Sequence, residues 1–349
     1  MRVLVTGGGG FIGKAVVRAL LDRGWTVRTL SRGAYPELEA WGVEAVRGDL
    51  GDFDDVVAAV RGCDAVVHVA AKPGVWGPYA AYQRTNVEGT DHVIRACIGN
   101  GVRTLVYTST PSVAHGGGDL RGVDESVPYA EGGDLTHYQR TKIEAEKLVL
   151  AANTPALQTV ALRPHLVWGP GDPNFMPRLL ERAEAGRLRL VDGGAAKVDV
   201  THIDTAAHAH LLALDQLLER GAEAPCAGKA YFISQGEPVE VGTFINALLA
   251  TAGLPPVTRS VSGTLAFWAG YAMEAVWTAL QRTDEPPMTR FVARQLSTDH
   301  YYDISAARRD LGFEPVVSIE EGLRRLRGER LAAQASSTPQ PGAPDGPRT

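Results

Sequence analysis

Cysteine is scarce in this sequence: Cys63, Cys97 and Cys226 are the three among 349 residues. An odd number without metal-ligand spacing argues against a disulfide framework or a cysteine-built zinc site, and predicts reduced core thiols in a cytoplasmic protein. Charge of one sign is scarce too. The formal net charge is −5, and no basic patch or run of like charge marks a nucleic-acid partner. The first strand-like run begins at Arg2, which predicts no signal peptide. No internal repeat is evident. No metal site is predicted either: His202, His208 and His210 stand close together, but the segment reads as a helix start with Asp204 as its N-cap and the histidines as packing and surface residues.

What the chain does have is length and apolar content. With 44% hydrophobic residues it can bury a large core, enough for one α/β domain with a smaller appendage. Apolar runs over 2–6, 26–30, 44–46, 65–69, 104–107 and 159–162 alternate with helical patterns, which predicts a doubly wound parallel sheet. Helices over 79–98 and 135–152 are predicted to lie side by side on one face. The expected organisation is a dinucleotide-binding domain over 1–165, with a return segment near 198–233 that adds a strand over 230–233. A smaller, mainly helical substrate-binding lid is expected from 166–197 and 234–330. The segment 331–349, rich in Ala, Ser, Pro and Gly, is predicted to be a disordered tail.

The run Gly7-Gly8-Gly9-Gly10-Phe11-Ile12-Gly13 follows the first strand and opens a helix. Such a turn lets backbone N–H groups and a helix N-terminus hold a pyrophosphate, and here it reads as cofactor binding rather than a mere packing turn. After the second strand stand Ser31 and Arg32, where an acid would accept from an NAD ribose. A guanidinium there suits a 2′-phosphate, so the expected cofactor is NADPH/NADP. Tyr138 and Lys142 are four apart on a helical pattern, hence on one face. The hydroxyl run Thr108-Ser109-Thr110-Pro111-Ser112 follows the fifth strand, at the sheet edge where ligands sit. Tyr138 is therefore expected to give a proton to a carbonyl oxygen as hydride reaches carbon. Lys142, together with the nicotinamide charge, is expected to lower the phenol's pKa from about 10 by roughly 2 to 3 units and to hold the nicotinamide ribose, and Thr110 to hydrogen-bond the developing alkoxide, with Ser112 as a second candidate.

In the carboxy-terminal half, residues 261–280 read as an amphipathic helix. Leu265, Trp268, Ala272, Val276 and Leu280 lie opposite Gly270, Tyr271, Glu274, Thr278 and Gln281, and Glu274 at mid-helix argues against a bilayer span. The segment is expected to roof an acyl pocket or lie on a membrane surface, with an ordinary lid helix equally open. Trp76, Tyr79 and Tyr82 line a substrate entrance or pack the long helix. Arg290 and Arg294, also four apart, are expected to face together and hold a substrate carboxylate, unless acids such as Asp299 or Asp303 claim them.

The glycine turn, Asp49-Leu50, Val69-Ala70-Ala71, Asn86-Val87-Glu88-Gly89-Thr90, 107–110, the Tyr-x-x-x-Lys pair, and Leu162-Arg163-Pro164 before Trp168-Gly169-Pro170-Gly171 together resemble an extended short-chain dehydrogenase/reductase, with a Rossmann-type sheet. The resemblance covers residues 2 to about 328. It implies that Asp49 contacts the adenine, that Ala70 and Ala71 line the cofactor path, that Asn86 supports the catalytic lysine, and that Pro164 and His165 border the nicotinamide. The stretches 106–113 and 163–165 are similar to the 3β-hydroxysteroid dehydrogenase-like branch. The stretches 162–173 and 285–312 resemble bacterial 2-alkyl-3-oxoalkanoate reductases of olefin biosynthesis. That branch often carries serine where this chain has Thr110, so Thr110, Ser109 and Ser112 all stay open as the alkoxide-binding group. The implied activity is NADPH-dependent reduction of a long-chain 2-alkyl-3-oxoalkanoic acid. A 3β-hydroxysteroid or sterol-4-carboxylate dehydrogenase is the nearest rival, ahead of a sugar-nucleotide epimerase or dehydratase and a non-catalytic dinucleotide sensor. The expected partners are a lipid-like small molecule, a second copy of the chain in a homodimer, and a membrane surface or lipid enzyme.

Overall fold

The computed structural model describes residues 1–132, 134–173 and 175–337. Its centre is a sheet of seven strands: β1 (Arg2–Thr6), β2 (Thr26–Ser31), β3 (Glu44–Arg47), β4 (Ala65–His68), β5 (Thr104–Thr108), β6 (Gln158–Pro164) and β7 (Lys229–Ile233). The order is β7-β6-β5-β4-β1-β2-β3, every pair parallel. The doubly wound sheet read from the apolar runs is therefore the observed one, and the return strand sits beside β6. Strand order reverses between β1 and β4, which opens a crevice at their carboxyl ends.

Alternation of side chains sorts the two faces. Val3 and Val5 pack with Val16, Val17 and Leu20 of helix α1 (Phe11–Asp22), whereas Leu4 packs with Val93 and Cys97 of α2 (Gly89–Asn100) and Ala145 and Val149 of α3 (His137–Ala151). Helix α4 (Ile203–Arg220) joins the α1 face. The helix expected over 79–98 is not uniform: a first turn, Tyr79–Tyr82, passes into a π-helical stretch, Gln83–Glu88, before α2. A widened turn of this kind is frequent at functional sites, and this one carries Asn86. All three cysteines are free and buried.

The sequence did not reveal a second sheet, made of Leu120–Val123, His300–Tyr302, Lys197–Val198 and Val239–Glu240. Its strands are too short to show a period. His202, not Asp204, caps α4: its Nδ1 accepts the Asp204 N–H at 3.2 Å, while the Asp204 carboxylate pairs with Arg325. The last helix runs from Ile319 to Ser337, past the expected onset of a disordered tail, because alanine-rich sequence continues a helix at little cost. The rest of that tail, 338–349, lies outside the described residues.

The Tyr138 helix is fastened to β6 by one buried ion pair. Arg163 Nη2 and Nε meet the two oxygens of Glu146 at 2.5 and 3.0 Å, and the Tyr129 hydroxyl donates to the same carboxylate at 2.8 Å. The side chains are 4% and 0% exposed. Removing one partner strands a buried charge, so Arg163→Leu is expected to cost about 3–5 kcal/mol in urea unfolding, and the double change Arg163→Leu/Glu146→Leu distinctly less. Equal losses would show that the pair is no fastening.

Candidate active site

At the crevice the chain leaves β1 through Gly7, whose φ of +67° belongs to the left-handed region that glycine tolerates. The turn closes with the Gly10 N–H donating to the Gly7 carbonyl at 2.9 Å. A Cβ on Gly13 would sit 2.1 Å from that carbonyl oxygen, and one on Gly7 would sit 2.8 Å from Ala70 Cα. The glycines thus bring α1 and the exit of β4 close together. Gly10 caps α1 without a side-chain bond, and the first turn, which includes Phe11 and Ile12, carries no acid. Its N–H groups and the helix dipole are left for an anion, so this cradle fits a dinucleotide pyrophosphate.

Around it lie the other cofactor-side residues. The Asp49 carboxylate accepts the Gly51 N–H at 2.9 Å and pairs with Arg84 at 3.2 Å, and Leu50 is buried beside it. Ser31 donates to the Gly33 carbonyl at 3.3 Å. Arg32 is exposed, and Arg47 donates to its carbonyl at 3.1 Å. Arg47 stands opposite Ser31 in the β2–β3 register, a second cation that only strand pairing reveals. Among the described residues neither guanidinium has an acid partner.

The Tyr138 helix begins with a reciprocal cap. Thr136 Oγ1 accepts the Gln139 N–H at 3.1 Å, and Gln139 Oε1 accepts the Thr136 N–H at 3.0 Å. Gln139 Nε2 also donates to the carbonyls of Ser112 and His115 at 3.1 and 2.9 Å, which locks α3 against the turn after β5. Within that turn the Thr110 hydroxyl lies beside the Tyr138 phenol and contacts Ser112 Oγ at 3.1 Å. Of the three hydroxyls left open above, Thr110 is the one placed next to Tyr138. Ser109 Oγ is buried without a hydrogen-bond partner.

Lys142 behaves differently from the expectation. Its ammonium donates to the Tyr107 hydroxyl at 2.6 Å and the Thr108 carbonyl at 2.7 Å, and is 2% exposed. Burial lowers its pKa to about 7, Glu146 opposing, and burial raises that of Tyr138 to about 12, with Thr110 opposing. Burial is the main influence on this phenol, and Lys142 is not among the groups that shift it. Asn86 does not touch Lys142 either. Its amide clamps the Lys72 backbone at 2.6 and 3.2 Å and reaches Thr141 Oγ1 at 3.0 Å, so it holds the chain after Ala70 and Ala71 to α3.

Pro164 ends β6, and His165 is buried with Nε2 3.2 Å from His300 Nδ1 and its ring edge-on to Tyr302. Its side chain serves the core between the two sheets. His210 supports the site from below, with Nε2 2.7 Å from Thr108 Oγ1. Among the described residues no group of three or more His, Cys, Asp or Glu is arranged for a metal.

Next to the start of α3 lies a cavity of about 750 Å³ lined by Trp76, Tyr79, His137, Trp277, Arg290 and Phe291. Tyr82 instead is buried, its hydroxyl on the Trp76 carbonyl. One wall belongs to helix α5 (Gly263–Ala279), the helix read over 261–280. Its inner side is polar: Glu274 pairs with Arg290 Nε at 2.7 Å. Its outer side carries Leu265, Trp268, Val276 and Leu280, each 49–64% exposed. No helix among the described residues is long and apolar enough to cross a membrane. Arg290 and Arg294 do share a face of helix α6 (Arg290–Ser297), but both reach Asp134, at 3.1 and 3.3 Å. In this structure the acids facing these cations are Glu274 and Asp134 rather than the nearer-in-sequence Asp299 and Asp303.

Comparison with known proteins agrees with this geometry. The profile of the 3-beta hydroxysteroid dehydrogenase/isomerase family matches residues 4–261. A 2-alkyl-3-oxoalkanoate reductase of Stenotrophomonas maltophilia is 52% identical over 95% of this chain and 100% of its own length. One of Shewanella oneidensis is 49% identical over 93% and 84%. Among solved structures, MoeE5 in complex with UDP-glucose and NAD superposes with a TM-score of 0.72 at 27% identity, over 96% of this chain and 100% of that one. The chain belongs to the 3-beta hydroxysteroid dehydrogenase/isomerase family of extended short-chain dehydrogenases/reductases, and is an oxidoreductase that uses a nicotinamide dinucleotide.

Proposed function

We propose that this enzyme reduces the 3-oxo group of a long-chain 2-alkyl-3-oxoalkanoic acid to the 3-hydroxy acid with NADPH. The observation that carries the reading is the Thr110–Tyr138 contact, locked by Gln139 at the carboxyl edge of the sheet, in a chain about half identical to two 2-alkyl-3-oxoalkanoate reductases. A bound nicotinamide supplies the hydride for the carbonyl carbon. The electron pair of the C=O bond moves onto oxygen, and Tyr138 gives its proton there. A phenol raised to about 12 holds that proton at neutral pH, yet remains a stronger acid than an alcohol, so transfer to an alkoxide runs downhill. Thr110 steadies the oxygen that receives it. Segments 166–197 and 234–330 form the substrate side over the domain at 1–165, and the cavity beside α3 takes the alkyl chains. Three buried thiols suit a reducing cytoplasm.

Tyr138→Phe is expected to lower kcat at least about a hundredfold with little change in NADPH affinity, and Thr110→Val to lower it more than Thr110→Ser. A 3-oxo acid, a sterol and a nucleotide sugar offered side by side, read at the nicotinamide absorbance, test the substrate class. Turnover of the sterol alone would overturn it.

The choice of NADPH rests on Arg32 and Arg47. Losing a charge-assisted contact to a 2′-phosphate costs roughly 1.5–3 kcal/mol. Arg32→Ala and Arg47→Ala should therefore each raise the Kd for NADPH tenfold or more and leave NADH untouched. An unchanged preference in both variants would point to NAD.

The same reading has α5 rest on an anionic lipid surface. Its outer apolar strip follows exposed Arg259, and exposed Arg187 and half-buried Arg189 precede the strand that pairs with Ser260–Val261. An amphipathic helix beside cations is the pattern of interfacial binding. Co-sedimentation with phosphatidylglycerol vesicles is expected for the full-length protein and should be lost in Leu265→Ser/Trp268→Ser. Gel filtration of both forms tests whether a homodimer uses that strip instead.

A further inference from the structure

Behind Lys142 runs a line of polar side chains that the catalytic pair does not account for. Thr6, His68, Thr90, Tyr107 and Lys142 are each no more than 2% exposed. They come from the ends of β1, β4 and β5, from α2 and from α3. We propose that Tyr107, Thr90 and His68 are positioning residues whose hydrogen bonds all run one way, so that Tyr107 can meet Lys142 only as an acceptor and the lysine is kept as an ammonium donor.

The direction follows from counting hydrogens. Lys142 spends two N–H groups on the Tyr107 oxygen at 2.6 Å and the Thr108 carbonyl at 2.7 Å, which leaves the third for a bound cofactor. An ammonium has no acceptor lone pair, so the Tyr107 hydrogen must turn elsewhere. The hydroxyl beside it is that of Thr90, and the direction of that contact follows from Thr90's own bonds. The Thr90 hydroxyl donates to the Asn86 carbonyl at 2.6 Å, so toward Tyr107 and His68 it only accepts. His68 Nε2, 3.0 Å away, must then carry the imidazole proton. On the far side of the ring Nδ1 accepts from the Thr6 hydroxyl at 2.7 Å, and Thr6 Oγ1 in turn accepts the Ala70 N–H at 3.2 Å. The opposite tautomer would take the Thr90 hydrogen away from Asn86 and leave the Thr6 hydrogen with nowhere to go, both costly in a dry interior. Burial, together with the charge of Lys142, holds the imidazole neutral by lowering its pKa to about 3. The line therefore joins the glycine turn, through Ala70, to the lysine.

The sign of its effect is fixed. An acceptor on the ammonium favours the charged form, and burial already brings Lys142 to about 7. Deleting the acceptor lowers it further, so everything that needs the ammonium is lost at a lower pH. Neither readout below uses substrate, so the outcome is independent of what the enzyme reduces. First, nitrogen NMR of the protein with labelled histidine, with the signal assigned by His68→Gln, should show His68 as a single neutral Nε2–H tautomer that does not titrate between pH 5 and 8. Second, the Kd of NADPH, followed by fluorescence against pH, should rise on the alkaline side in the wild type. In Tyr107→Phe and in the near-isosteric Thr90→Val the midpoint should move down by about one pH unit, with circular dichroism unchanged. Thr90→Ser, which keeps the hydroxyl, should restore it, and the double variant Tyr107→Phe/Thr90→Val should shift no further than Tyr107→Phe alone. A titrating His68, an Nδ1–H tautomer, or a wild-type midpoint in folded Tyr107→Phe would overturn the proposal.

Discussion

The catalytic end of this enzyme is organised around burying one nitrogen. A lysine side chain taken out of water loses solvation that the protein must replace. Here the replacement is a phenol oxygen and a carbonyl at the end of β5, the strand whose following turn carries Thr110. Reaching them requires α3 to approach the sheet closely. The Arg163–Glu146 pair, one turn further along α3, the reciprocal cap at Thr136 and the two bonds from Gln139 all serve that approach. Tyr138, on the same helix face, is then held beside Thr110 as a consequence of where Lys142 must go.

Much of this was legible in the chain. The strands of the main sheet showed because parallel strands are covered on both faces and so read as unbroken apolar runs. Tyr138 and Lys142 showed because a helix puts positions four apart on one side. What stayed hidden depends on pairing between distant segments. Thr6 and His68 are 62 positions apart and meet only because β1 and β4 are neighbours. Arg47 becomes a partner of the Arg32 loop only through the β2–β3 register.

The corrections have the same origin. Arg290 and Arg294 do share a face, as their spacing said, but spacing names no partner. Asp134, at 156 and 160 positions' distance, takes both. Asp204 has the composition of a cap, and His202 has the geometry of one. The phenol's pKa rose where a cation and a nicotinamide charge suggested a fall, because burial acts on Tyr138 as it does on Lys142, and Lys142 spends two of its donors on Tyr107 and Thr108.

The triad of Arg290, Asp134 and Arg294 has a consequence for how the cavity's edge responds to its medium. Its ion pairs join the carboxy-terminal helices to the loop just before α3, beside the cavity, and the Asp134 side chain is 55% exposed. Charges that water reaches are weakened by dissolved salt, with a screening length of about 8 Å at physiological strength. The ion pairs beside the cavity are thus contacts that salt reaches, whereas the buried bonds of Lys142 and of the Arg163–Glu146 pair are contacts that it does not. Ionic strength therefore acts on the rim of the site and leaves its interior unchanged.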